Sequence, residues 1–169
     1  MTVQASGAHI FQLNRSNGGV PKLPVFSANV TTLGLEGDRQ RNLRVHGGPD
    51  RALCLFSLEL ILKLQGEGHP VHPGSIGENV TLVGIDLAVL KPGDMLALGD
   101  EVLIEITGYA YPCQNIVASF RDGDSSRVSQ KLHPGDSRLY ARLRRTGVLR
   151  VGMPVRVLNA VEREQLLPV

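Results

Sequence analysis

Glycine and proline divide this chain into short pieces. Nineteen Gly and ten Pro are scattered along the whole 169 residues. Each Pro removes a backbone donor, and each Gly weakens a helix interior. Long helices are therefore excluded, and a helical bundle with them. What remains is a mainly β chain of short strands joined by turns, with a few short helices. Hydrophobic residues at 42% and charged residues at 20% suffice to bury one core, so residues 1–169 are read as one domain.

The strands follow from alternation and turn signals. His9–Leu13 opens the chain, and Val25–Thr32 reads as a second strand ending in the loop LGLEGDRQRNLRVHGGPDR. A loop of that length inside a compact domain is usually functional or disordered. Ala52–Phe56 is a buried strand. Ser57 then caps a helix carrying Leu58, Ile61 and Leu62 on one face, stopped by Gly66 and Gly68. After the loop HPVHPGSIGEN comes Asn79–Val83. Met95–Leu98 and Val102–Thr107 flank a hairpin-like turn at Gly99-Asp100. The stretch after Cys113 is compatible with a short helix, and Ser125 or Ser126 would cap another. In residues 139–144, Leu139, Ala141 and Leu143 alternate with Tyr140, Arg142 and Arg144, giving a strand with one basic face. Val148–Val151 and Val155–Leu158 are the last strands, and Ala160–Leu167 is helical.

Two thiols are present. Cys54 lies in the apolar run Ala52–Phe56 and reads as core. Cys113 follows Pro112, precedes Gln114-Asn115 and stands near a helix start. Such a place can favour the thiolate, which is both a nucleophile and a soft metal ligand. The loops LEGDRQRNLRVHGGPDR and HPGSIGENV combine glycines with Arg39, Arg41, Arg44 and Arg51, residue types that can hold an anion. Solvated turns of the same composition are the alternative. His46, in HGGPD, is an acid–base candidate or a loop-orienting residue. No Ser-His-Asp order, zinc, Walker or Rossmann fingerprint is present.

Charge is unevenly placed. The formal net charge is +2, yet residues 121–156 hold nine Arg or Lys against three acids, a local excess of +6. That excess suits an anionic ligand or a protected strand edge. Aromatics at 4% and no Trp argue against a nucleic-acid partner that stacks bases. No apolar run approaches the roughly 20 residues that span a bilayer. With no basic, apolar leader at the start, the expectation is a cytoplasmic protein with free thiols.

Five motifs stand in order: GLEGDRQ at 34–40, HGGPDRAL at 46–53, PGSIGENV at 73–80, LKPGDMLALG at 90–99 and PCQNI at 112–116. In order and spacing they resemble the MOSC family, named for the C-terminal domain of molybdenum cofactor sulfurases. The resemblance is close over residues 9–116 and looser over 138–158. It implies a β-barrel with a few short helices that handles the molybdenum cofactor, a pyranopterin phosphate. Cys113 matches the family cysteine and would be the molybdenum ligand and catalytic group, or a persulfide site in a sulfur carrier. The resemblance further implies a cofactor cradle from Arg39, His46, Gly47, Gly48, Arg51, Gly77, Glu78, Asn79 and Arg142. It implies either reduction of N-hydroxylated compounds, fed by a separate electron donor, or cofactor delivery fed by a sulfur donor protein.

Overall fold

Alternation of buried and exposed residues sets the sheets. The computed structural model describes residues 7–40 and 47–167. His46, Arg41 and Arg44 lie outside the described residues. Strand β1 (His9–Arg15) buries Ile10 and Leu13, and β2 (Leu23–Val25) pairs with it antiparallel. The expected single strand Val25–Thr32 is interrupted at Phe26. Val25 pairs with Leu13 in one sheet, while β3 (Ser27–Thr31) joins β4 (Gly34–Leu35) in another. Alternation alone cannot show such a change of sheet, because both halves keep a period of two.

Strand β5 (Leu53–Ser57) is buried throughout. The Ser57 hydroxyl accepts from the Leu60 amide at 3.0 Å, and α1 (Leu58–Gly66) starts there as expected. The helix crosses over to β6 (Val80–Val83), which lies parallel to β5, the one parallel strand pair among the described residues. A crossover of this kind needs a dozen or more residues, which α1 and its following loop supply. Strands β7 (Met95–Leu98) and β8 (Val102–Tyr109) form the expected hairpin. Beyond a short 3₁₀ helix at Gln114–Ser119, a second one at Ser125–Val128 is capped by the Asp124 carboxylate. Asp124, one residue before Ser125 and two before Ser126, is the stronger acceptor.

Strand β9 (Leu139–Arg145) is followed by β10 (Gly147–Arg150), β11 (Val155–Val157) and α2 (Ala160–Leu166). The large sheet runs β11-β7-β8-β9-β5-β6-β1-β2, and the small one β10-β3-β4. The main core lies between them, built from Ile10, Leu55, Leu82, Ile104 and Leu149 among others. A second core under α1 joins Phe56 and Ile61 to Ile116 and Phe120. The protein is thus mainly β with few helices. The barrel implied by the resemblance is not closed by strand pairing among the described residues, since β11 and β2 remain edges. The ends are nevertheless drawn together: the Ile10 amide bonds the Met153 carbonyl at 2.9 Å, and His9 bridges Pro154.

Candidate functional site

The strand order brings β5, β6 and β9 side by side, and the loops before β6 and β9 meet at one end of them. A cleft opens there with Cys113 on its wall and Cys54 deeper. Cys113 has extended backbone and caps the 3₁₀ helix Gln114–Ser119; its carbonyl accepts from the Ile116 amide at 3.2 Å. Its side is packed against the second core while remaining partly exposed. Cys54 is buried, as the apolar run predicts, yet it also lines the cleft. Burial pushes the Cys54 thiol up to about 11, so it stays protonated at neutral pH. Iodoacetamide at pH 8 is therefore expected to alkylate Cys113 at least about tenfold faster than Cys54. Peptide mass spectrometry reads the two rates, and equal rates would show that burial does not separate the thiols.

Among the described residues, the cations lining the cleft are Lys22, Arg39 and Arg138, and no acidic residue lines it. Arg138 is 3% exposed. It donates to the carbonyls of Ile76 at 2.7 Å and Tyr111 at 3.0 Å, while its buried Nε has no hydrogen-bond partner. Burying a guanidinium costs several kcal/mol unless charge or hydrogen bonds offset it, by general estimates of about that size. Two carbonyls supply part of that, and an anion in the cleft would supply the rest. Lys22 is held by Asp38 at 2.5 Å. Asp38 also accepts from the Ser16 amide at 2.9 Å and from Asn79 Nδ2 at 2.8 Å.

Asn79 ties the strands beneath the cleft. Its amide bonds the Cys54 carbonyl at 2.8 Å, and its Oδ1 accepts from the Cys54 amide at 3.1 Å. Glu78 points away from the lining. Its Oε1 accepts from the Gly74 amide at 2.6 Å and from the Thr81 hydroxyl at 3.2 Å, and burial raises its pKa. It shapes the loop that presents Gly77 to the cleft.

Of the residues expected from sequence, Cys113, Arg39, Gly77 and Asn79 come together here, with Glu78 behind them. Gly47 and Gly48 lead into a 3₁₀ turn at Pro49–Arg51. From it Arg51 reaches over the Tyr140 ring, 5.7 Å from the centroid, on the far side of that ring's wall. Arg142 is not in the cleft: it pairs with Asp50 at 3.3 Å and Glu105 at 3.2 Å. Much of the expected basic surface is neutralised similarly, Arg144 by Glu105 and Arg156 by Glu162. Sequence reasoning passed over Arg138, Lys22 and Asp38. A buried arginine leaves no local signature, and Asp38 was visible only as one letter of GLEGDRQ.

A mainly β domain with a thiol on the wall of an acid-free cationic cleft is the class these features define. The model of the MOSC domain matches residues 42–156. The chain belongs to the MOSC domain family. Protein YiiM of Escherichia coli is 33% identical over 105 residues, covering 60% of this chain and 46% of the relative. The uncharacterized protein YflK of Bacillus subtilis is 28% identical over 147 residues, covering 86% and 65%. The chain thus spans about half to two-thirds of the length of these relatives. The fold matches the crystal structure of YiiM from Geobacillus stearothermophilus, with a TM-score of 0.70, 22% identity, and coverage of 90% of this chain and 75% of that one. It also matches the YUAD protein of Bacillus subtilis, with a TM-score of 0.70, 18% identity, and coverage of 89% and 94%.

Proposed function

We propose that this protein binds the molybdenum cofactor, with Cys113 as the metal ligand, and reduces N-hydroxylated compounds in the cytoplasm. The observation that carries the reading is the cleft itself: one accessible thiol beside a buried arginine whose Nε lacks a partner. The residues fit such a group. Cys113 offers one soft donor, so its metal must arrive with its other ligands attached. Arg138, Lys22 and Arg39 favour a ligand carrying negative charge. The cleft holds about 70 Å³, so it would hold only part of such a group.

When bound, the cofactor supplies a metal centre that exchanges two electrons. Cleaving one N–O bond consumes two electrons and two protons and releases water, and a separate donor protein provides the electrons. Cys113 anchors the group, Arg138 holds anionic oxygen, and Tyr140 closes one side. Burial, the largest cause, pushes the Tyr140 hydroxyl upward, so it remains a neutral donor. The drawing together of β1 and the start of β11 supports reading the curled sheet as a barrel wall behind the cleft.

The test is molybdenum and pterin content after production in a cofactor-competent host. Wild type is expected to retain both, and Cys113→Ser to lose at least about tenfold of its molybdenum. Equal content in folded Cys113→Ser would take Cys113 off the metal. Wild type without molybdenum or pterin, but with a persulfide on Cys113 after incubation with a cysteine desulfurase and cysteine, would favour a sulfur carrier instead.

A further inference from the structure

A second cleft adjoins the first and shares only Tyr140 with it. It is the larger of the two, about 610 Å³, within the range of small-molecule sites. The chain has three tyrosines and no tryptophan, and all three tyrosines line this cleft. They are graded in depth: Tyr140 is 8% exposed at the base, Tyr109 is half-buried, and Tyr111 is 81% exposed at the rim. Gly108, facing Tyr140 across the β8–β9 pair, has open space where a Cβ would stand. The floor is therefore clear for a flat group.

Charge completes the picture. Among the described residues, Arg51, Lys131 and Arg142 line the cleft with one carboxylate, Asp50, which Arg142 engages, and Lys131 is exposed. Aromatic rings prefer offset or edge contacts with other rings, and three tyrosines around one cleft offer such contacts to a flat ligand. We infer that this cleft binds a planar aromatic ring bearing a carboxylate or equivalent anion. The ring lies among Tyr109, Tyr111 and Tyr140, and the anion faces Lys131. Presentation of that ligand to Cys113 across Tyr140 rests on the function proposed above, whereas binding does not.

Calorimetry with 2-naphthoate as the probe tests this on the full chain. It is expected to bind at least about tenfold more tightly than cyclohexanecarboxylate, which lacks the ring, or 2-naphthylmethanol, which lacks the charge. Tyr111→Ala and Lys131→Gln alter exposed side chains and leave the core intact. Each is expected to weaken binding about threefold to tenfold. Naphthoate should also protect Tyr111 from acetylation by N-acetylimidazole, read by peptide mass spectrometry. Equal binding of the three probes, or no protection of Tyr111, overturns the inference. Protein made with and without the cofactor should bind naphthoate equally. Loss of binding on cofactor loading would overturn it too, by assigning the cleft to the cofactor. Failure to load molybdenum would defeat the proposed function alone.

Discussion

Replacing Asp38 with Ala is expected to destabilise the protein by about 3–5 kcal/mol, the range for removing one partner of a buried ion pair. Urea denaturation at pH 7 measures it. The carboxylate side chain is 4% exposed and Lys22 is 7% exposed. With Asp38 gone, the ammonium would sit in the cleft wall without its counter-ion. The Ser16 amide would lose its carboxylate acceptor as well, and Asn79 Nδ2 would keep only the longer bond to the Asn14 carbonyl. Because removing both charges is less costly than removing one, the double variant Asp38→Ala/Lys22→Met should recover part of the loss. A cost below about 1 kcal/mol for Asp38→Ala, the size of an exposed pair, would mean that water reaches these groups freely. The expectation also bears on the cleft, since Lys22 is one of the cations that line it.

Gly74→Ala is expected to be similarly damaging, by about 2–6 kcal/mol, combining backbone strain with overpacking. Gly74 has φ near +87°, and an added Cβ would stand 2.2 Å from the Lys22 carbonyl oxygen and 3.3 Å from Asn14 Cγ. The first neighbour is backbone and cannot rotate away. Gly74 also accepts from the Lys22 amide at 2.9 Å and donates to Glu78, so relief of the clash would move both sides of the site. Gly48→Ala is the matched control. Its φ is +81° and no described residue stands near the added Cβ, so it should cost only the strain, about 1–3 kcal/mol. Thermal unfolding of the two variants side by side separates the contributions, and equal costs would remove the steric part of the argument.

Local chemistry made much of the fold legible. Ser57 caps α1, Gly99-Asp100 turns β7 into β8, and the alternation at 139–144 marks β9, because each depends on neighbours in sequence. The break at Phe26 was not legible, since it depends on which sheet each half meets. The site divides the same way. Cys113 stood out through its polar neighbours, and the Gly-rich loops through composition. Arg138 did not, because its partners, the Ile76 and Tyr111 carbonyls, lie 62 and 27 residues away. The local +6 was real arithmetic, but Glu105, Asp50 and Glu162, which offset Arg142, Arg144 and Arg156, lie outside the counted segment.

The parallel pairing of β5 with β6 has a kinetic meaning as well. Cys54 and Asn79 meet only after α1 has crossed the sheet, and Asn14 reaches Asn79 only when β1 docks on β6, 65 residues away. Arg138 arrives from later still. Each closure costs chain entropy before any contact repays it, so the cleft walls depend on contacts between segments far apart in the chain. A ribosome-bound or proteolysed fragment ending before Arg138 lacks both Arg138 and Tyr140. The complete set of cleft side chains is therefore present only once the chain has been made through β9.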